Sequence, residues 1–182
     1  MAEAFHIRAA RDGDAAALPG VQLSAGALFR SMPDIAWVAD EPVAPPALYL
    51  PMIARGHVWV AADGAGAVVG CLFGEIADGA FHILELAVAQ EAQRRGLGRR
   101  LLDAARACAQ TNQLAALTLT TFRHVAWNAP FYARYGFTEH TDPRLAALVA
   151  AEIARGLPHR CAMRLALQGR SAVIEDEIGR PS

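Results

Sequence analysis

Between His57 and Val88 three apolar, β-rich runs follow one another with only tight turns between them. His57 to Ala62 passes through Asp63-Gly64-Ala65-Gly66 into Ala67 to Ile76, and Asp78-Gly79 leads into Phe81 to Val88. Runs of this kind joined by Asp/Gly turns predict hairpins, hence three successive antiparallel strands. Such an order excludes an opening βαβ unit. The rest of the chain must be built around that meander.

At Gln93 the pattern changes. The string Gln93-Arg94-Arg95-Gly96-Leu97-Gly98-Arg99-Arg100 leads into Leu97, Leu101, Leu102, Ala105 and Cys108, which recur at helical spacing to about Thr111. Leu114 to Thr121 then reads as a strand. Asn128 to Tyr135 reads as a short helix closed by Gly136, and Phe137 to Thr141 as a strand. Asp142 caps a helix from Pro143 to Arg155, and His159 to Leu167 is the last strand. At the other end, Phe5 to Ala9 is a strand, followed by a helix from Asp12 or Asp14 to about Ser31 with an interruption at Pro19-Gly20. Met32 to Pro46 holds four prolines and reads as a loop or broken helix; Pro46 opens a second short helix ending at Gly56. Residues 1–168 form one α/β (α+β) domain, with a polar tail at 169–182.

At 182 residues, with 54% hydrophobic and 19% charged residues, the chain can bury a sizeable core and is not a disordered polymer. Its longest apolar runs, about ten residues, are too short to span a bilayer. Met1 to Arg11 carries Glu3, His6, Arg8 and Arg11 and no apolar block, so no signal peptide is expected. The net charge of −1 argues against a nucleic-acid partner. All 17 basic residues are arginine, so lysine-based catalysis is excluded. Cys71, Cys108 and Cys161 are far apart and lack metal spacing, which fits a reduced, cytoplasmic protein without a metal. A homodimer is compatible with the sequence.

A strand, a Gly/Arg turn and a helix start make an anion-binding arrangement. Backbone N–H groups at a helix N-terminus point outward with partial positive charge, and glycines let a phosphate approach the main chain. The P-loop is excluded because no Gly-Lys-Ser/Thr follows, and the dinucleotide fingerprint because its third glycine is missing.

Gln-Arg-Arg-Gly-Leu-Gly at 93–98 resembles the Q/R-x-x-G-x-G/A signature of the GNAT N-acetyltransferase superfamily. Leu84-Glu85-Leu86-Ala87-Val88 resembles that family's central strand. Asn128, followed by Tyr132-Ala133-Arg134-Tyr135-Gly136-Phe137, resembles its second signature, with Asn128 closer to the tyrosine than is usual. The resemblance implies a mixed, mostly antiparallel sheet of six to seven strands flanked by helices, with acetyl-CoA as cosubstrate. It implies that the backbone of Leu86, Ala87 and Val88 pairs with pantetheine. Amides of Arg94, Arg95, Gly96, Leu97, Gly98 and Arg99 would hold the pyrophosphate with Gln93 in the same cofactor site, Asn128 would bond the pantetheine or nearby backbone, and Tyr132 would protonate the departing thiolate. Asn128 also reads as a helix N-cap, and Tyr132 or Tyr135 as packing.

Acetylating an amine needs a base, because an alkyl ammonium of pKa about 10.4 leaves roughly one molecule in a few thousand neutral near pH 7. The central run offers His82 and Glu85. In a regular strand they face opposite ways; a β-bulge between them would put both on one face. A carboxylate in the apolar run Ile83-Leu84-Glu85-Leu86-Ala87-Val88 is costly unless paired or functional. The expected activity is transfer of an acetyl group to a primary amine of a small molecule by direct attack. A protein or peptide N-acetyltransferase and a non-catalytic CoA-binding module are the alternatives. For the acceptor, Trp37 beside Asp34, Asp40 and Glu41 predicts a cation site between the proline-rich segment and the 143–155 helix.

Overall fold

The computed structural model describes residues 4–167, so the polar tail expected at 169–182 lies outside the described residues. The strands are β1 His6–Ala9, β2 Val58–Ala62, β3 Val68–Ala77, β4 Ala80–Val88, β5 Ala116–Phe122, β6 Thr138–Glu139 and β7 Arg160–Ala166. The α-helices are α1 Leu18–Gly26, α2 Leu50–Ala54, α3 Leu97–Thr111, α4 Ala129–Tyr135 and α5 Pro143–Ala154. They flank one seven-stranded sheet of order β1-β2-β3-β4-β5-β7-β6. Every neighbouring pair is antiparallel except β4–β5. The mixed, mostly antiparallel sheet expected from the sequence is therefore present.

Sequence differs from structure chiefly before residue 58. The helix read over 12–31 is three pieces: a 3-10 turn Asp12–Ala16, α1, and a second 3-10 turn Ala27–Ser31. Pro19 sits in the first turn of α1, where its missing N–H costs nothing, so it restarts the helix. The proline-rich segment is a 3-10 helix over Pro33–Asp40, kinked at Ile35. The strand read over 137–141 shrinks to two residues.

Strand alternation sorts the core into two faces. Trp59, Leu72, Phe81, Ile83, Leu117 and Leu119 pack under α3 and α4, with Leu97, Leu101, Leu102 and Ala105 contributed by one side of α3. Val58, Val60, Cys71, Phe73 and Ala87 pack on the opposite face beneath α1 and α2, with Leu18, Val21, Tyr49 and Ile53.

Two irregularities open the sheet at its centre. First, Phe73 pairs with Glu85 while Gly74 pairs with Ile83, so Leu84 is an extra residue in β4. A Cβ at position 74 would run into the His82 carbonyl oxygen and the Phe81 ring, which is why glycine stands there. Second, β4 and β5 pair in parallel only from Ala80↔Ala116 to Ile83↔Leu119. Past the bulge the strands diverge, and β5 continues to Phe122 paired with β7 alone.

Candidate active site

A cleft of about 990 Å³ opens where β4 and β5 part. The bulge decides what enters it. Because Leu84 is extra, Glu85 lies on the same face as His82, the face that also carries Phe73 and Glu75. The His82↔Thr118 and Phe122↔Arg160 pairs put Thr118, Thr120, Phe122 and Arg160 on that face too. The two carboxylate and imidazole candidates thus share a face, but the structure does not bring them to one place.

Glu85 lines the cleft. Its Oε1 accepts a hydrogen bond from the Leu86 amide at 3.0 Å. Burial pushes its carboxyl above the ordinary range, while the Leu86 amide and the Arg160 charge pull the other way. His82 lies outside the lining residues. It is 3% exposed, and its Nδ1 is 3.0 Å from Thr118 Oγ1. Burial, then the Arg144 charge, holds its imidazole below the usual range. A neutral, enclosed histidine bonded to a threonine cannot reach a molecule in the cleft, whereas Glu85 can.

Tyr132 arrives from the opposite face, on α4, and also lines the cleft. Burial is the main reason its hydroxyl is held far above the ordinary phenol range, with Glu85 adding to the effect. It therefore stays protonated and can act only as a donor. Tyr135 instead donates to Asp103 at 2.7 Å on the outer side. Asn128 precedes α4, but its side chain does not cap the helix. Its Oδ1 accepts from Thr121 Oγ1 at 2.8 Å, which aims the amide at the cleft it lines.

The Gly/Arg turn forms the other wall. Arg94 (φ 60°) and Gly96 (φ 75°) both have left-handed backbones, and Gly96 is the cap of α3. Left-handed residues alternating with right-handed ones turn successive N–H groups toward one point, as in an anion nest. Gln93 Nε2 donates to the Val88 carbonyl at 3.0 Å and ties the turn to the end of β4. Gln93, Arg94, Gly96, Leu97, Gly98 and Arg99 line the cleft with Leu86 and Val88. Ala87 and Arg95 do not: Ala87 packs into the α1–α2 core, and the Arg95 guanidinium lies over the Phe5 ring. At Gly98 a Cβ would stand 3.3 Å from Phe131 on α4, so this glycine serves helix–helix approach as much as any ligand.

Sequence reasoning missed the far end of the cleft. There Arg160 donates through Nε to Glu152 Oε2 at 2.8 Å and through Nη2 to Glu152 Oε1 at 2.9 Å and Thr120 Oγ1 at 3.2 Å. Its guanidinium lies 4.6 Å from the Phe122 ring centroid. Above them Glu41, after the proline-rich helix, bridges to Arg155 after α5 at 3.0 Å. Ile35 packs with Phe122, Val125 and Leu157. The segment from Pro33 and the loop after α5 thus roof this end. Trp37 and Asp34 are not lining residues: Trp37 is 40% exposed and rests against Gly156, and Asp34 is exposed. The one sequence signal was an arginine opening a mostly apolar strand.

The bulged central strand, the seam beside it and the glycine turn leading into α3 carry the motifs that resemble the GNAT family. The family model described as Acetyltransferase (GNAT) domain matches residues 54–139. In fold, the chain is similar to the PaiA N-acetyltransferase from Thermoplasma acidophilum in complex with coenzyme A (17% identity, TM-score 0.66, 90% of this chain and 99% of that one). It is also similar to Rv2747 from Mycobacterium tuberculosis, solved with CoA (21%, TM-score 0.66, 90% and 99%). The ribosomal-protein-S18-alanine N-acetyltransferase from Escherichia coli shares the fold as well (16%, TM-score 0.67, 92% and 98%).

Proposed function

We propose that this chain is an acetyl-CoA-dependent N-acetyltransferase that acetylates a primary amine of a small molecule by direct attack. The observation that carries the reading is that Glu85 and Tyr132 line one cleft from opposite faces of the split sheet, one suited to take a proton and the other to give one. CoA would lie along Leu86 to Val88 with its pyrophosphate at the nest of Gln93 to Arg99; two proteins of similar fold were solved with coenzyme A. Asn128, aimed by Thr121, would bond the pantetheine amide.

The chemistry then follows from charge. The amine enters as ammonium and loses a proton to the Glu85 carboxylate. Its lone pair attacks the thioester carbonyl carbon, forming the C–N bond of a tetrahedral intermediate. That intermediate collapses with cleavage of the C–S bond, the nitrogen sheds its second proton to solvent, and the departing thiolate takes the Tyr132 hydroxyl proton. An amide and free CoA leave; the proton held by Glu85 returns through solvent to Tyr132. No cysteine lies in the cleft lining, which supports direct attack over an acyl-enzyme. Cys71, Cys108 and Cys161 are free thiols, in keeping with a reducing cytoplasm.

The roof supports a small acceptor. The Glu41–Arg155 bridge and Leu157, which line the cleft, would stand in the way of a polypeptide laid along it. The test is thiol release from acetyl-CoA with panels of small primary amines and of peptides, with the product identified by mass spectrometry. Saturable acetylation of small amines is expected, with Tyr132→Phe lowering kcat while acetyl-CoA affinity holds. Acetylation of peptides alone would replace this reading with a protein acetyltransferase. Binding of acetyl-CoA without turnover of any acceptor would replace it with a non-catalytic CoA-binding module.

A further inference from the structure

The acceptor end of the cleft is more specific than a cation trap. Arg160 is immobilised on three sides, by both oxygens of Glu152, by the Thr120 hydroxyl and by the Phe122 ring. Fixing a guanidinium this thoroughly costs side-chain entropy, and the fork geometry makes the remaining donors directional. Those donors are on Nη1, which makes no hydrogen bond within the described residues. No enclosed side-chain nitrogen among those residues lacks a partner, so Nη1 is not sealed in the core, and Arg160 lines the cleft. Thr120 in turn donates to Glu152 at 2.7 Å, so the base of the group is closed and Nη1 is the end left for a ligand.

Charge decides what kind of ligand. At this end of the cleft the charged lining groups are Glu41, Glu85, Glu152, Arg155 and Arg160, three carboxylates against two guanidiniums, with Arg94, Arg99 and Arg134 lining it from the glycine turn, α3 and α4. Glu41 is neutralised by Arg155 and Glu152 by Arg160, which leaves Glu85 as the uncompensated charge. One ammonium at Glu85 balances the site. A second ammonium would add a surplus cation beside Arg160. A free carboxylate would restore the surplus anion and crowd Glu152 around a guanidinium it already holds bidentately. The group that suits Nη1 is therefore an oxygen without formal charge.

Resting on the acetyltransferase reading, we infer that the acceptor is a monocationic amine bearing a neutral hydrogen-bonding oxygen, such as an amide carbonyl, and that Arg160 selects it through Nη1. Losing a desolvated hydrogen bond to a charged donor shifts specificity by about tenfold or more.

The experiment compares kcat/KM for four acceptors of matched chain length: an amino amide, its parent amino acid, an alkylamine and a diamine. The amino amide should exceed each of the other three by about tenfold or more. In Arg160→Met the ratio of amide to alkylamine should collapse toward unity; Arg160→Lys, which keeps the charge but loses the fork, should reduce it less. The panel with the native protein stands by itself should either variant fail to fold. Equal use of the four acceptors, or preference for the amino acid or diamine, overturns this inference and leaves the acetyltransferase reading in place. Acetyl-CoA binding with no thiol release for any amine overturns both.

Discussion

Glu85 is under opposed demands from folding and from chemistry. Its carboxyl titrates above the ordinary range, chiefly because burial disfavours the charged form. A group whose pKa is raised by folding stabilises the fold below its unfolded pKa and loses that contribution as pH rises through its folded pKa. Near neutrality the ionised side chain is therefore a net burden on stability. Glu85→Gln should raise Tm near neutral pH, with the gain shrinking in acid. The same change should lower kcat/KM by about 10²-fold, partly recovered in alkali where amine is already neutral. Calorimetry and pH–rate profiles on one pair of proteins check both halves; an unchanged acidic limb would remove Glu85 as the base. His82 offers the contrast of a buried polar residue with its hydrogen bond made, held neutral within reach of the Arg144 charge on α5, and without a route to the cleft.

At the level of elements, the bulge in β4 is enforced from the neighbouring strand. Gly74→Ala would push a methyl group into the His82 carbonyl and the Phe81 ring, so either β3 moves or the bulge shifts. Overpacking of this kind costs about 1–3 kcal/mol. We expect a lower Tm together with a disproportionate loss of kcat, since a register slip turns Glu85 to the other face; a fall in Tm with kcat intact would separate the bulge from catalysis. What could be read from the sequence depends on the range of the forces involved. The meander, the Gly/Arg turn and α3 were legible because period, turn residues and capping act within a few positions. The bulge could be posed as a condition for pairing His82 and Glu85, yet its cause, Gly74, lies in a different strand. Arg160, Glu152 and Thr120 were illegible because strand order alone brings β5, α5 and β7 together. The roof was half legible: the proline-rich segment was placed at the acceptor end, but Trp37 and Asp34 were chosen where Glu41 meets Arg155, 114 positions away in sequence. Side-chain chemistry named the segment and could not rank its members without the partner.

Taken as a whole molecule, the family match and the site divide along the same line. Residues 54–139 hold Glu85, the glycine turn, Asn128 and Tyr132, while Glu41, Glu152, Arg155 and Arg160 fall outside that range. Changes in the roof should therefore act on one reactant. Glu41→Gln, which releases Arg155 and loosens the roof, should raise the acceptor KM by about threefold to tenfold, in line with a half-exposed ion pair at the mouth of a pocket. The acetyl-CoA KM should stay nearly constant; bisubstrate kinetics would show it, and a rise in the acetyl-CoA KM instead would mean that the roof holds the cofactor. The parting of β4 from β5 has a mechanical meaning too. Four paired positions, from Ala80 to Ile83, hinge a four-stranded slab to a three-stranded one. Past the hinge, β4 presents main-chain donors and acceptors to a slot inside the molecule, where a neighbouring protein cannot add a strand as it could at an outer rim. An extended molecule seated in that slot would complete the hydrogen-bond ladder and splint the two slabs, so rigidity of the sheet would become a property of the complex and not of the chain alone.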